Sequence, residues 1–146
     1  MGIFKKILVF VVLLYYFNAF SKKYRDQYKR AHKKFEGISI KELDVNEVVL
    51  FESRINELYH YVAKNAPFNT FFLAENHFST FKKQCGHGFK IFGYFLDEKL
   101  VGFHSVLLND LVLETYFLGY DDQVQKDKML YLNMLYNMTE FGITHQ

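Results

Sequence analysis

Two side chains in the middle of the chain have the types and setting that proton transfer requires. Glu114 is the only carboxylate inside a strand-like run, where sheet pairing would hold it in place as a general base must be held. It could equally be a solvent-side or hydrogen-bonded strand residue. His104 could shuttle a proton, or serve as a structural histidine on a strand. If Asn109-Asp110 forms a two-residue turn, Ser105 lies opposite Glu114 and His104 opposite Thr115. His77, Cys85 and His87 invite a metal reading, but Cys85-Gly86-His87 is too short to chelate comfortably. No second Cys/His pair completes four ligands, so no metal is expected. Cys85 could be a nucleophile, or a small buried residue closing a helix, since Gly86 follows it. There is no Gly-x-Ser-x-Gly elbow and no Walker loop.

These residues need elements to position them. Around Glu114 and His104 the pattern is strand-like, with Phe89–Leu96, Leu100–Leu108 and Leu111–Gly119 in sequence. Asp97-Glu98-Lys99 and Asn109-Asp110 supply the turns, which predicts an antiparallel meander. Alternation puts Val112, Glu114 and Tyr116 on one face, and Leu113, Thr115 and Phe117 on the other. Before the meander the period is helical. Phe17, Phe20, Tyr24, Tyr28, Ala31 and Phe35 mark one face, with Ser21 as a cap and Gly37 as a stop. A short strand follows at Ile38-Ser39-Ile40. Asp44 and Glu47 then form a capping-box start for a helix that runs to Pro67, and another helix covers Ala74–Cys85. After a polar loop at Tyr120–Lys126, Leu130, Met134, Met138 and Phe141 mark a last helix.

The composition suits a chain that buries a core. Of 146 residues, 50% are hydrophobic and 19% aromatic, which excludes a disordered tail. A single cysteine excludes an intrachain disulfide, so a reducing compartment or a disulfide-free domain is expected. The net charge of +2 is unevenly spread. Residues 1–34 hold nine Lys/Arg and one acid, whereas residues 35–146 hold nine Lys/Arg against fifteen acids. The cations Lys22, Lys23, Arg25, Lys29, Arg30, Lys33 and Lys34 lie opposite the aromatic stripe of one helix. That basic helix, residues 22–34, could meet an anionic membrane surface or tRNA, or be a solvated amphipathic face. Residues 1–17 form a separate apolar N-terminal segment ahead of a domain over 18–146. Its run at 7–17 is shorter than the about 20 residues of a membrane span. It reads as signal-like, as an anchor, or as a truncation scar.

Three stretches carry a family resemblance. The first is Ser21-Lys22-Lys23-Tyr24-Arg25 with Lys33-Lys34-Phe35-Glu36-Gly37-Ile38. The second is Gly93-Tyr94-Phe95-Leu96-Asp97-Glu98-Lys99-Leu100-Val101-Gly102-Phe103. The third runs from Leu118-Gly119-Tyr120-Asp121 through Leu130-Tyr131-Leu132-Asn133-Met134-Leu135-Tyr136 to Glu140-Phe141-Gly142-Ile143. In this order they resemble GNAT-type acyltransferases, in particular the Fem-like, peptidoglycan-biosynthesis-type bacterial branch. The resemblance spans about residues 16–146.

The resemblance implies an α/β fold with a mixed, mostly antiparallel sheet flanked by helices, incomplete at the C-terminus. It implies transfer of an acetyl or aminoacyl group to an amine, with acetyl-CoA or another acyl donor as substrate. Tyr116 would then touch the donor, and a helix N-terminus near Lys126-Asp127-Lys128 would meet its pyrophosphate, with Lys126 and Lys128 adding charge. That helix start could also be an ordinary solvated one. The family's Gln/Arg-x-x-Gly-x-Gly/Ala loop is absent from Tyr120–Lys128, and no strand follows the last helix. An inactive remnant, or a small membrane-associated binding protein, are the alternative readings. A cytoplasmic place, against the inner face of the membrane, and a homodimer through the open strand edge complete the expectations.

Overall fold

The computed structural model describes residues 11–12, 14–110 and 112–145. The first part of the apolar N-terminal segment and the expected strand start at Leu111 therefore lie outside the described residues. Residues 14–19 are helical and lead into α1 (Lys22–Lys34). Among the described residues no helix is long and apolar enough to cross a membrane. Ser21 starts α1 with its carbonyl, which accepts from the Arg25 N–H at 3.0 Å, while its hydroxyl makes no cap bond. Gly37, at φ +87°, then turns the chain into β1 (Ile38–Glu42), which runs two residues further than expected. Glu42 is thus a second strand carboxylate beside Glu114.

The capping box at Asp44 is formed as the spacing predicts. The Asp44 side chain accepts from the Glu47 N–H at 2.9 Å, and the Glu47 carboxylate accepts from the Asp44 N–H at 3.1 Å. The helix it starts is broken, however. α2 (Val45–Leu50) and α3 (Glu52–Asn65) meet at Phe51, whose φ −95°, ψ 10° departs from helical dihedrals, although its N–H still donates to the Glu47 carbonyl and its carbonyl still accepts from the Ile55 N–H. α4 (His77–Cys85) begins three residues later than expected and stops at Gly86, φ +53°. Cys85 does close this helix, but it is exposed rather than buried. Gly86 turns the chain straight into a short 3-10 turn, which leaves the helix end at the surface.

β2 (Phe89–Leu96), β3 (Lys99–Asn109) and β4 (Val112–Tyr120) form the expected meander, and β1 adds to β2, so the sheet order is β1-β2-β3-β4, antiparallel throughout. The first hairpin turns on Asp97 and Glu98 alone, both at positive φ (48° and 63°). The second pairs Asn109 with Val112, with Asp110 just after Asn109 at φ 49°. The expected turn was one residue earlier, and the shift moves every partner. Glu114 faces Leu107, not Ser105, and His104 faces Leu118, not Thr115. An aspartate tolerates the left-handed conformation well enough to take the turn, which leaves Asn109 in the strand.

Helices cover both faces of the sheet. On one face α2, α3 and α4 bury Leu43, Val48, Ile55, Leu58, Phe78, Phe89, Ile91 and Phe103. On the other, α1 and the last helix bury Tyr94, Val101, Val106, Leu130, Met134 and Met138. The expected polar loop after β4 is instead a helix, α5 (Asp122–Lys128), because the Asp121 carboxylate accepts from the N–H groups of Gln123 and Val124. Met129, at φ 51°, breaks it, and α6 (Leu130–Thr144) follows as predicted.

Candidate functional site

β4 ends the sheet order, so its outer edge has no strand partner among the described residues. The strand is also bulged. Pairing steps from Val106–Thr115 to His104–Leu118, so Tyr116 and Phe117 together stand opposite Ser105. A bulge leaves ladder groups unpaired. Here the buried Ser105 hydroxyl takes both: it donates to the Phe117 carbonyl at 2.7 Å and accepts from the Phe117 N–H at 3.2 Å. The bulge turns both Tyr116 and Phe117 toward α3 and α4, where simple alternation had put them on opposite faces.

Tyr116 lies half-buried under α4. Its hydroxyl meets His77 Nε2 at 3.0 Å, and its ring stacks on Phe81 at 5.5 Å. Burial lowers the His77 pKa and raises that of Tyr116, so both stay neutral near pH 7. Glu114 is exposed, two residues before Tyr116. Glu114 and Tyr116 therefore border the open edge together, and His77 joins them from α4.

His104 lies elsewhere, on the α6 face of the sheet, and is 2% exposed. Burial pushes its pKa down to about 3, so the ring is neutral and charging it at accessible pH is opposed. Asn137 Nδ2 donates to the Tyr94 hydroxyl at 3.2 Å, and that hydroxyl lies 2.8 Å from His104 Nδ1. Nε2 has no partner among the described residues. A buried unpaired polar atom costs about 1–3 kcal/mol.

Lys126 and Lys128 occupy the last turn of α5, not the start of a helix. Lys126 pairs with Asp122, and Lys128 donates to the Glu36 carbonyl at 2.7 Å. The two helix starts nearby are filled from within the chain. Asp121 caps α5, and the Tyr131 N–H of α6 donates to Gln125 Oε1 at 2.6 Å. Arg54 of α3 holds the junction of β4 and α5, donating to the Leu100 carbonyl at 3.0 Å and reaching Asp121 at 3.2 Å.

The structure thus gathers Glu114 and Tyr116, places Lys126 and Lys128 past the end of β4, and separates His104 from all four. Sequence reasoning missed His77, Tyr94, Asn137 and Ser105 as members of these clusters. Asn137 carried a signal, since with Asn133 it sits among the apolar positions of the last helix. The other partners are contributed from separate elements, and no local spacing reports them.

No protein-family model and no curated protein matches the chain. Among solved structures, an integron cassette protein from the mobile metagenome of V. cholerae aligns with TM-score 0.50 and 19% identity, over 75% of this chain and 70% of that one. The ribosomal-protein-S18-alanine N-acetyltransferase from Escherichia coli aligns with TM-score 0.48 and 14% identity, over 73% and 62%. An aminoglycoside acetyltransferase from an uncultured soil metagenomic sample, in complex with sisomicin, aligns with TM-score 0.45 and 23% identity, over 73% and 72%. The likeness is one of fold: an α/β chain whose four-stranded antiparallel sheet is flanked by helices.

Proposed function

We propose that this chain is a GNAT-like acyltransferase domain, related to the Fem-like branch, that transfers an acetyl or aminoacyl group to an amine. The open, bulged edge of β4 carries the reading. An edge strand presents free backbone donors and acceptors, and the amide-bearing arm of an acyl-CoA can pair with them as a strand would. The amine nitrogen attacks the donor's carbonyl carbon, the new C–N bond forms, and the bond from carbon to the leaving group breaks. Glu114 is assigned the proton that leaves the amine. Tyr116, held by His77 at 3.0 Å, is assigned contact with the donor. Glu114 is exposed at this edge, so an amine arriving from solvent can reach its carboxylate.

The phosphate end fits less well. The cap carboxylate of Asp121 fills the α5 start, and Lys126 and Lys128 already have partners. Acetyl-CoA as the donor would therefore gain little from its phosphates, and S-acetyl-pantetheine should bind nearly as well. Thermal melts of the full chain with each compound test this. A hundredfold excess over the dissociation constant adds about 2.7 kcal/mol of stability. A cooperative melt that neither compound moves would refute the donor site.

A second reading concerns α1, whose Lys22, Lys23, Lys29, Arg30, Lys33 and Lys34 are exposed. Exposed Leu14 and Tyr15 lie on the helical residues just before it, which favours an anionic membrane surface over tRNA. Co-sedimentation with phosphatidylglycerol vesicles, lost on charge reversal of Lys29 and Arg30, is the expected result. Binding to tRNA and not to vesicles would reverse the choice.

A further inference from the structure

α1 and the helical residues before it do not close fully on α6. Between them lies a cavity of about 420 Å³. Its walls are mainly aromatic: Phe17 and Phe20 come from the residues before α1, Tyr28 from α1 and Tyr136 from α6. The Tyr28 ring meets Phe17 at 5.1 Å and Tyr136 at 4.8 Å, with interplanar angles of 65° and 67°, so these rings form adjoining walls rather than a stack. Among the described residues Glu140, exposed on α6, is the one Asp, Glu, Lys or Arg that lines the cavity. Burial, and after it the Glu140 charge, raise the Tyr28 pKa, which is the effect of a carboxylate close to that ring. Arg25 of α1 is not part of the lining and donates to the Asn18 and Phe20 carbonyls. Aromatic faces carry negative charge density, so rings and carboxylate favour the same ligand, a cation. Ring faces give a primary ammonium little to replace its three hydrogen bonds to water, whereas a trimethylammonium group has no N–H to leave unpaired.

We propose that this cavity binds a small, free quaternary ammonium compound, its trimethylammonium head walled by Phe17, Tyr28 and Tyr136 and its charge balanced by Glu140. A cavity of about 150 Å³ holds one benzene, so this one has room for the head and a short tail. The site does not depend on acyl transfer at β4, because it lies on the α6 side of the sheet whereas Tyr116 faces α4. A lipid headgroup carries the same cation next to a phosphate, and the Glu140 carboxylate opposes that second charge.

The test uses the full chain with ¹³C-labelled tyrosine, titrated with choline. Because His32 also lines the cavity, the titration is run at about pH 8, above the ordinary histidine range. The expected result is a saturable shift of the Tyr28 and Tyr136 ring resonances. The neutral isostere 3,3-dimethylbutan-1-ol, which has the same shape without the charge, should bind at least about tenfold more weakly. Ethanolamine and phosphocholine should also bind more weakly than choline. Tyr136→Leu should lose most of the preference for choline over its isostere, and Tyr136→Phe, which keeps the ring, should retain it. Glu140→Gln, at an exposed position, should reduce the same preference, and it remains informative if the leucine variant fails to fold. No saturable shift at millimolar choline, or equal binding of choline and the isostere, overturns the proposal. Ethanolamine binding as tightly as choline would overturn the quaternary selectivity, and phosphocholine binding more tightly would reassign the cavity to a lipid headgroup.

Discussion

Gly119 is where β4 touches a helix backbone, and an alanine there should be costly. A Cβ built on Gly119 would lie 2.5 Å from both the Leu58 carbonyl carbon and the Tyr59 nitrogen, and 2.7 Å from the Leu58 oxygen. Comfortable contact between such atoms is about 3.5–4.0 Å, so α3 or β4 must give by roughly 1 Å. The atoms in the way are main chain and cannot rotate aside. Moving α3 off the sheet loosens Ile55, Leu58, Tyr59 and Ala63, the residues it buries. Overpacking costs typically about 1–3 kcal/mol, and a backbone clash belongs at the upper end. At 146 residues, about 3 kcal/mol corresponds to a Tm fall of roughly 10 °C. Differential scanning calorimetry of Gly119→Ala reads this directly. Gly142→Ala is the control: its Cβ meets nothing within 4 Å, and alanine inside α6 should add about 1 kcal/mol. A Gly119→Ala melt within 2 °C of the parent would refute the packing described for this edge.

Two further outcomes follow from the structure. His104 titrates at about 3 in the fold, against an ordinary histidine value of about 6.5, because burial disfavours its charged form. Between these values the unfolded chain binds a proton that the fold excludes. Its contribution is therefore complete above pH 6.5 and declines on acidification, by up to about 1.4 kcal/mol per pH unit. Urea unfolding from pH 7 to pH 4 should show this slope flattened in His104→Phe, and equal slopes would contradict the burial of the ring. At the first hairpin Glu98 holds φ 63°, a left-handed conformation that costs a side chain about 1–2 kcal/mol. Glu98→Gly should raise the urea midpoint, and a lowered one would count against the two-residue turn.

Much of the fold was legible because it is written in local periods. The α1 stripe, the Asp44–Glu47 box and the α6 spacing each report on a few neighbouring residues, and each element formed near its expected place. The meander was legible for the same reason, since alternation and turn residues are short-range signals. The misreadings arose where two local solutions were close in energy. Either Asn109 or Asp110 could open the second turn, and the choice shifted the partners of Glu114 and His104. Tyr120–Lys126 looked like a loop because it is polar, although Asp121 is a good helix cap.

The sequence by itself determined which residue types were present to do chemistry, most of the element order, and the apolar faces on which the sheet and helices meet. Only the tertiary structure decided which of those residues share a site. Ser105 filling the bulge, His77 reaching Tyr116 across 39 residues, and the Asn137–Tyr94–His104 chain all join distant elements. Hydrogen bonds of this kind act over about 3 Å in space, a distance that sequence separation does not record. The same holds for burial: the His104 ring is neutral, with one nitrogen unpartnered among the described residues, because two strands and a helix remove water from it, and no single strand pattern could have shown that.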